Sequence, residues 1–176
     1  MTELPERKRL RWREFDYSTA ANYFITLVVN DRQCLLGDVK NGVLVHSEAG
    51  RMVEQVLLSV TDRFPNVFVV QKVVMPNHVH LIMQNKGDVN VTDVMRWLKS
   101  VTTNRYIHGV SEKGWIPFQR RLWQRCYYDH VIRNQRAYDY ILNYIYKNPE
   151  RWKKDLLNAD SVDNPDDIGD AIKKMM

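Results

Sequence analysis

The hydrophobic positions fall into alternating short apolar runs and helical spacings that predict seven elements. Tyr23-Phe24-Ile25-Thr26-Leu27-Val28-Val29 is β-branched and aromatic and ends at the turn-prone pair Asn30-Asp31, which predicts a buried strand. Gly42 to Val45 reads as a short strand or turn. From about Glu48 to Arg63, behind the N-cap residue Ser47, the spacing Val53, Val56, Leu57, Val60 predicts an amphipathic helix. Val67 to Met75 is apolar on both faces in its central run, Pro76-Asn77 supplies a turn, and His78-Val79-His80-Leu81-Ile82-Met83 starts another strand. The two form a hairpin expected at the centre of a sheet.

Thr92 is placed as the cap of a second helix carrying Val91, Met95, Leu98 and Val101 or Thr102, ending near Gly109 as its C-terminal glycine. Residues 115–123 are irregular, aromatic and basic, and Cys126 to Arg133 reads as a strand. Asn134 caps a last helix with Tyr138, Ile141, Leu142 and Ile145 on one side, stopping near Asn148-Pro149 because the residue before proline disfavours the helical region. Strand, helix, strand, strand, helix, strand, helix is the order of an α+β sandwich, with a ferredoxin-like arrangement of helices on a largely antiparallel sheet as the first choice. No sustained apolar period follows Trp152, and partial disorder is expected there.

With 176 residues, 44% of them hydrophobic, the chain can bury the core of one domain. Charge adds a direction. The whole chain carries +5, but six aspartates against Lys173 and Lys174 give net −4 from Asp155 onward, so residues 1–154 carry +9. Arg7, Lys8, Arg9, Arg11 and Arg13 crowd the start, and Arg120, Arg121, Arg125, Arg133 and Arg136 precede the last helix. Such a body suits a polyanionic partner such as nucleic acid; two solvated charge runs are the plainer reading. Cys34 and Cys126 are too few for a disulfide framework or a cysteine zinc site, and no apolar run has the length of a membrane span. A reducing cytoplasm and no membrane partner are expected. The chain divides as a basic arm over 1–16, a domain over 17–152 and an acidic tail over 153–176.

Two histidines one residue apart on a strand face the same side with Cα atoms about 6.5 to 7 Å apart, so His78 and His80 can reach one ion while Val79 faces the core. Alone, such a pair is more often two surface or satisfied core histidines than a metal site. On the last helix Tyr144 and Asn148 lie four residues apart on one face. An amide oxygen suits Mg²⁺ or Mn²⁺, and two imidazoles with one amide make a neutral ligand shell that leaves the ion's charge for a phosphate. A phenol beside that ion is placed to attack phosphorus, although Tyr138, Tyr140 and Tyr146 keep the choice of tyrosine open.

Met75-Pro76-Asn77-His78-Val79-His80-Leu81-Ile82-Met83, Leu122-Trp123-Gln124-Arg125, Asp129-His130-Val131-Ile132-Arg133-Asn134 and Tyr144-Ile145-Tyr146-Lys147-Asn148-Pro149 together resemble the REP-associated tyrosine transposases. These are single-tyrosine, IS200-like members of the HUH nuclease superfamily, and the likeness runs from about Asn22 to Trp152. The resemblance implies that His78 and His80 bind a divalent ion, that Asn148 is its third ligand, and that Tyr144 is the nucleophile. Tyr146, about 200° away round the helix, is then structural, and His130 supports the sheet or the site. It implies a transposase acting on hairpin-containing single-stranded DNA through a 5′-phosphotyrosine, with a homodimer among the forms such proteins take. Arg7, Lys8, Arg9, Arg11, Arg120, Arg121 and Arg125 are candidate phosphate contacts, and Trp115 and Phe118 candidate base-stacking residues, whereas Trp123 and Tyr127 are expected in the core. Two other readings stay open: a hairpin-binding protein without catalysis, and a metal-dependent hydrolase in which Tyr144 is only structural.

Overall fold

The computed structural model describes residues 16–161. Four strands, β1 (Ala21–Val28), β4 (Val67–Val74), β5 (His78–Asn85) and β6 (Tyr128–Ile132), form one antiparallel sheet in the order β4-β5-β1-β6. A hairpin of β2 (Gly37–Lys40) and β3 (Val43–His46) stands apart from it. The helices are α1 (Glu48–Leu58), α2 (Val60–Arg63), α3 (Val91–Lys113) and α4 (Gln135–Lys147), followed by a 3₁₀ segment, Pro149–Lys154. Strand order and the β1-α1-β4-β5-α3-β6 succession give the expected ferredoxin-like α+β sandwich.

Period-two alternation along the two central strands divides the interior into two halves. Tyr23, Ile25 and Leu27 of β1 and Val79, Leu81 and Met83 of β5 face a large core shared with Val53 and Leu57 of α1 and Val94, Met95 and Leu98 of α3. Phe24 and Ile82 face the other way, into a smaller core closed by Ala137, Ile141, Tyr144 and Ile145 of α4. Thr26, His78 and His80 share this second face, since Thr26 pairs with His80 and Val28 with His78. The sheet therefore keeps its polar chemistry on the side away from the main core.

Several boundaries differ from expectation. The β4-β5 hairpin forms, but β4 is an edge strand: it is only partly covered, and its register shifts between Val69 and Gln71 where Val70 is exposed. The first helix pauses at Ser59, giving α1 and α2. Asn90 rather than Thr92 caps α3, its side chain accepting from Thr92 N at 2.8 Å. That helix runs through Gly109 to Gly114, whose φ of 68° ends it in the left-handed region. Gly109 serves a different purpose, because a Cβ there would lie 2.2 Å from the Trp115 ring. The apolar stripe of α4 is Ala137, Ile141, Tyr144 and Ile145; Leu142 is exposed.

Residues 155–161, expected to begin a disordered tail, fold back onto the sheet. Asp155 and Asn158 are buried, Asn77 Nδ2 donates to Leu157 O at 2.8 Å, and Asn158 Nδ2 donates to Trp152 O at 2.9 Å. Among the described residues no helix is long and apolar enough to cross a membrane.

Candidate metal and tyrosine site

His78 and His80 open β5, beside the turn at Pro76-Asn77, on the face opposite the main core. Both imidazoles are buried, and their ring centres lie 4.5 Å apart. Each is held by its inner nitrogen. His78 Nδ1 is 2.8 Å from Asn77 Oδ1, and His80 Nδ1 is 2.8 Å from Thr26 Oγ1. The orientation of the Asn77 amide is fixed by its own donors, which go to Arg32 O at 3.1 Å and Leu157 O at 2.8 Å. Its oxygen can only accept, so His78 carries its proton on Nδ1 and turns a bare Nε2 lone pair inward. Ligation through Nε2 would give His80 the same tautomer, with Thr26 Oγ1 as the acceptor for Nδ1.

Helix α4 lays Tyr144 and Asn148 over this pair. Asn134 starts the helix, its side chain accepting from Ala137 N at 2.8 Å, and the 137, 141, 144, 145, 148 positions turn toward the sheet. The Tyr144 ring centre is 5.3 Å from that of His80, edge to face, and Asn148 is 1% exposed. Of the four tyrosines on this helix, Tyr138 and Tyr140 edge the smaller core and Tyr146 is 73% exposed; Tyr144 alone is buried against an imidazole. Trp152 covers the other side, 6.1 Å from His78.

Sequence reasoning missed Asp155. Its carboxylate is buried, with Oδ2 3.7 Å from His78 Nε2 and 3.4 Å from Asn148 Nδ2, and Oδ1 accepts from Leu157 N at 2.7 Å. The surroundings are therefore not the neutral set of two imidazoles and an amide expected from sequence. Asp155 was absorbed into an acidic run, and only the distance of seven residues from Asn148, spanned by the 3₁₀ segment, brings it back to the site.

His78 Nε2, His80 Nε2 and Asn148 Oδ1 are buried and lack a hydrogen-bond partner among the described residues. His78, His80 and Asp155 each offer a ligand atom within 4.8 Å of the others. Converging bare acceptors are costly unless a cation or a donor fills the space between them, so the donor set fits a divalent ion. Burial pushes the His78 imidazole down to about 3, partly offset by the nearby Asn148 amide. His80 is held well below the usual histidine range by burial first and by His78 second, against the pull of Asp155. Both are neutral, as ligation requires. Burial raises the Tyr144 phenol well above its ordinary value, and Asp155 adds to the rise while Asn148 opposes it.

The other candidate residues divide. Arg120, Arg121 and Arg125 are exposed on a segment tied to the end of β1, where Asn30 N donates to Leu122 O and Gln124 N to Val28 O, both at 2.8 to 2.9 Å. Val28 pairs with His78, so these arginines flank the histidine end of the sheet. Trp115 and Phe118 are half-buried on Tyr106, at ring distances of 5.3 and 5.6 Å, and Trp115 Nε1 donates to Glu48 Oε2 at 3.1 Å. Their rings pack on the α1-α3 side and remain partly exposed. Trp123 and Tyr127 are in the core. His130 is half-buried on β6 opposite Phe24, its imidazole lowered by burial and by Arg133. Arg7, Lys8, Arg9 and Arg11 lie outside the described residues.

A Haemophilus influenzae (strain Rd) protein of uncharacterized function is 31% identical over 169 residues, covering 88% of this chain and 94% of that one. The structure of a REP-associated tyrosine transposase bound to a REP hairpin superposes with a TM-score of 0.57 at 23% identity, over 79% of this chain and 72% of that chain. A candidate transposase from Deinococcus radiodurans R1 superposes with a TM-score of 0.50 at 19% identity, over 77% and 95%. At those identities the two structures speak for the fold. Residues 18–148 match the family model described as IS200-like transposase, and the chain belongs to that family.

Proposed function

We propose that the protein cleaves and rejoins single-stranded DNA beside hairpins, with Tyr144 as nucleophile and a divalent ion, Mg²⁺ or Mn²⁺, held by His78, His80 and Asn148. The observation that carries this reading is the contact of the buried Tyr144 ring with His80, beside two imidazole nitrogens with no hydrogen-bond partner among the described residues.

The phenol oxygen attacks phosphorus and forms a 5′-phosphotyrosine, while the bond to the 3′ oxygen breaks and that oxygen leaves as a hydroxyl after taking a proton. Bond energy is stored in the phosphotyrosine, so the reverse attack by a 3′-hydroxyl rejoins the strand without ATP. When bound, the ion polarises the scissile phosphate and stabilises its developing charge. The chain's own residues supply the rest. Asn77 and Thr26 fix the ring orientations, Asn148 favours the ionised phenol, and Arg120, Arg121 and Arg125 offer phosphate contacts along the same end of the sheet. The Tyr144 proton is held tightly in the buried site, so attack requires its removal as substrate and ion bind.

The test is incubation with hairpin-containing single-stranded DNA and Mn²⁺ or Mg²⁺, followed by denaturing electrophoresis. A denaturation-resistant protein-DNA adduct is expected, absent in Tyr144→Phe and retained in Tyr146→Phe. His78→Ala is expected to lose the adduct but keep salt-dependent DNA affinity, since backbone contacts dominate that affinity. Cleavage without any adduct would identify a hydrolase instead; binding without cleavage would identify a hairpin-binding protein.

A further inference from the structure

We infer that Asp155 is itself a ligand of the ion, so that the metal is bound by two imidazoles and a carboxylate, with the Asn148 amide beside them. The inference rests on the metal-dependent reading above and changes its chemistry.

Three ligand groups converge on the sheet face, His78 and His80 with bare Nε2 atoms and Asp155 with Oδ2, and the Asn148 amide lies beside them, its Oδ1 also buried without a partner among the described residues. Among these groups the donor is Asn148 Nδ2, at the long distance of 3.4 Å from Asp155 Oδ2. A carboxylate whose side chain is 3% exposed has given up nearly all its hydration. Its remaining close partner is Leu157 N at 2.7 Å, on the oxygen that points away from the histidines. A direct ion pair with His78 does not answer the need, because 3.7 Å is too long for a hydrogen bond and the imidazole turns a lone pair, not a proton, toward the carboxylate. A cation placed among His78, His80 and Asp155 satisfies all three at once.

The spacing agrees. Ligand atoms at about 2.1 Å from a shared ion stand roughly 3 to 3.5 Å apart. His78 Nε2 and Asp155 Oδ2 are already 3.7 Å apart, and the three ligand atoms lie within 4.8 Å of one another. Closing that set asks for side-chain rotations moving atoms by about 1 Å, with no rearrangement of the strand. Two histidines and a carboxylate on one side of an ion leave the opposite positions open, a donor set suited to Mn²⁺ and its neighbours. It also lowers the net charge of the occupied site from that of the bare ion by one. Because Asp155 follows the 3₁₀ segment, ligation joins β5 to residues 149–158, a connection that the histidines and Asn148 alone do not make.

Mn²⁺ binding to the full-length protein, followed by electron paramagnetic resonance without DNA, tests this directly. Asp155→Asn keeps size and an acceptor for Leu157 N but removes the charge. It is expected to weaken Mn²⁺ binding by at least tenfold while the metal-free variant melts no lower than the metal-free parent, since a buried unpaired charge has gone. High Mn²⁺ should restore adduct formation. As a second measurement independent of any variant, the Asp155 side-chain ¹³C carboxylate resonance should shift on adding Mg²⁺ to the parent protein. Parental Mn²⁺ affinity in Asp155→Asn, with binding abolished in His78→Ala, would overturn the Asp155 assignment and leave the metal reading intact. A parent protein that binds no Mn²⁺ would overturn both.

Discussion

Asn77 accepts a hydrogen bond from His78 Nδ1 at 2.8 Å while its own amide nitrogen bridges Arg32 O and Leu157 O. One fully buried side chain thus sets the tautomer of a metal-ligand candidate and anchors the segment that carries Asp155. Asn77→Ala is expected to lower Mn²⁺ affinity by about 10- to 100-fold, the usual cost of losing a group that orients a ligand. Asn77→Asp should be intermediate, because it keeps the acceptor for His78 but cannot donate to the two carbonyls. Mn²⁺ titration together with ¹⁵N shifts of the His78 ring checks both statements. An unchanged tautomer and affinity in Asn77→Ala would remove Asn77 from this role.

The residues that were legible in the sequence are those whose position follows from local periodicity. His78 and His80 share a face because a strand alternates, and Tyr144 and Asn148 share one because a helix repeats after four residues. Asp155 obeys neither rule. Its place depends on a 3₁₀ turn after Pro149 and on long-range bonds from Arg32 and Asn77 to the backbone of residues 156 and 157. Composition misled at one element: the apolar richness of β4 suggests a central strand, whereas its neighbours place it at the edge.

Gly109 illustrates the same limit at a single position. A glycine near the end of an apolar period signals a helix end, but here the helix continues and Trp115 folds back over the missing side chain. Gly109→Ala improves intrinsic helix propensity by about 1 kcal/mol. The added methyl would meet three ring atoms of Trp115 at 2.2 to 2.5 Å, inside any permissible contact, and that ring is also held by Glu48 and Tyr106. Overpacking should prevail, with a net loss of roughly 1 to 2 kcal/mol and a lower thermal midpoint. Chemical denaturation measures it; a stabilised Gly109→Ala would show that Trp115 moves aside freely.

Acid should unfold the metal-free protein from the histidine site. In the folded chain His78 titrates at about 3, against an ordinary value of 6.5, and His80 is depressed in the same direction. Between those values the unfolded chain binds protons that the folded chain refuses, so stability rises with pH across this window. The contribution is complete above 6.5 and is lost as pH falls toward 3, amounting to something on the order of 5 kcal/mol for His78 alone. The thermal midpoint measured with chelator present should therefore drop steadily from pH 7 to pH 4. His78→Asn, which removes the titrating ring, should flatten part of that slope. Mn²⁺ binds neutral imidazoles and competes with the same protons, so the stabilisation it adds should be largest at neutral pH and fade over the same interval. A midpoint independent of pH between 7 and 4 would mean that water reaches the two rings and that the site is open in the absence of metal.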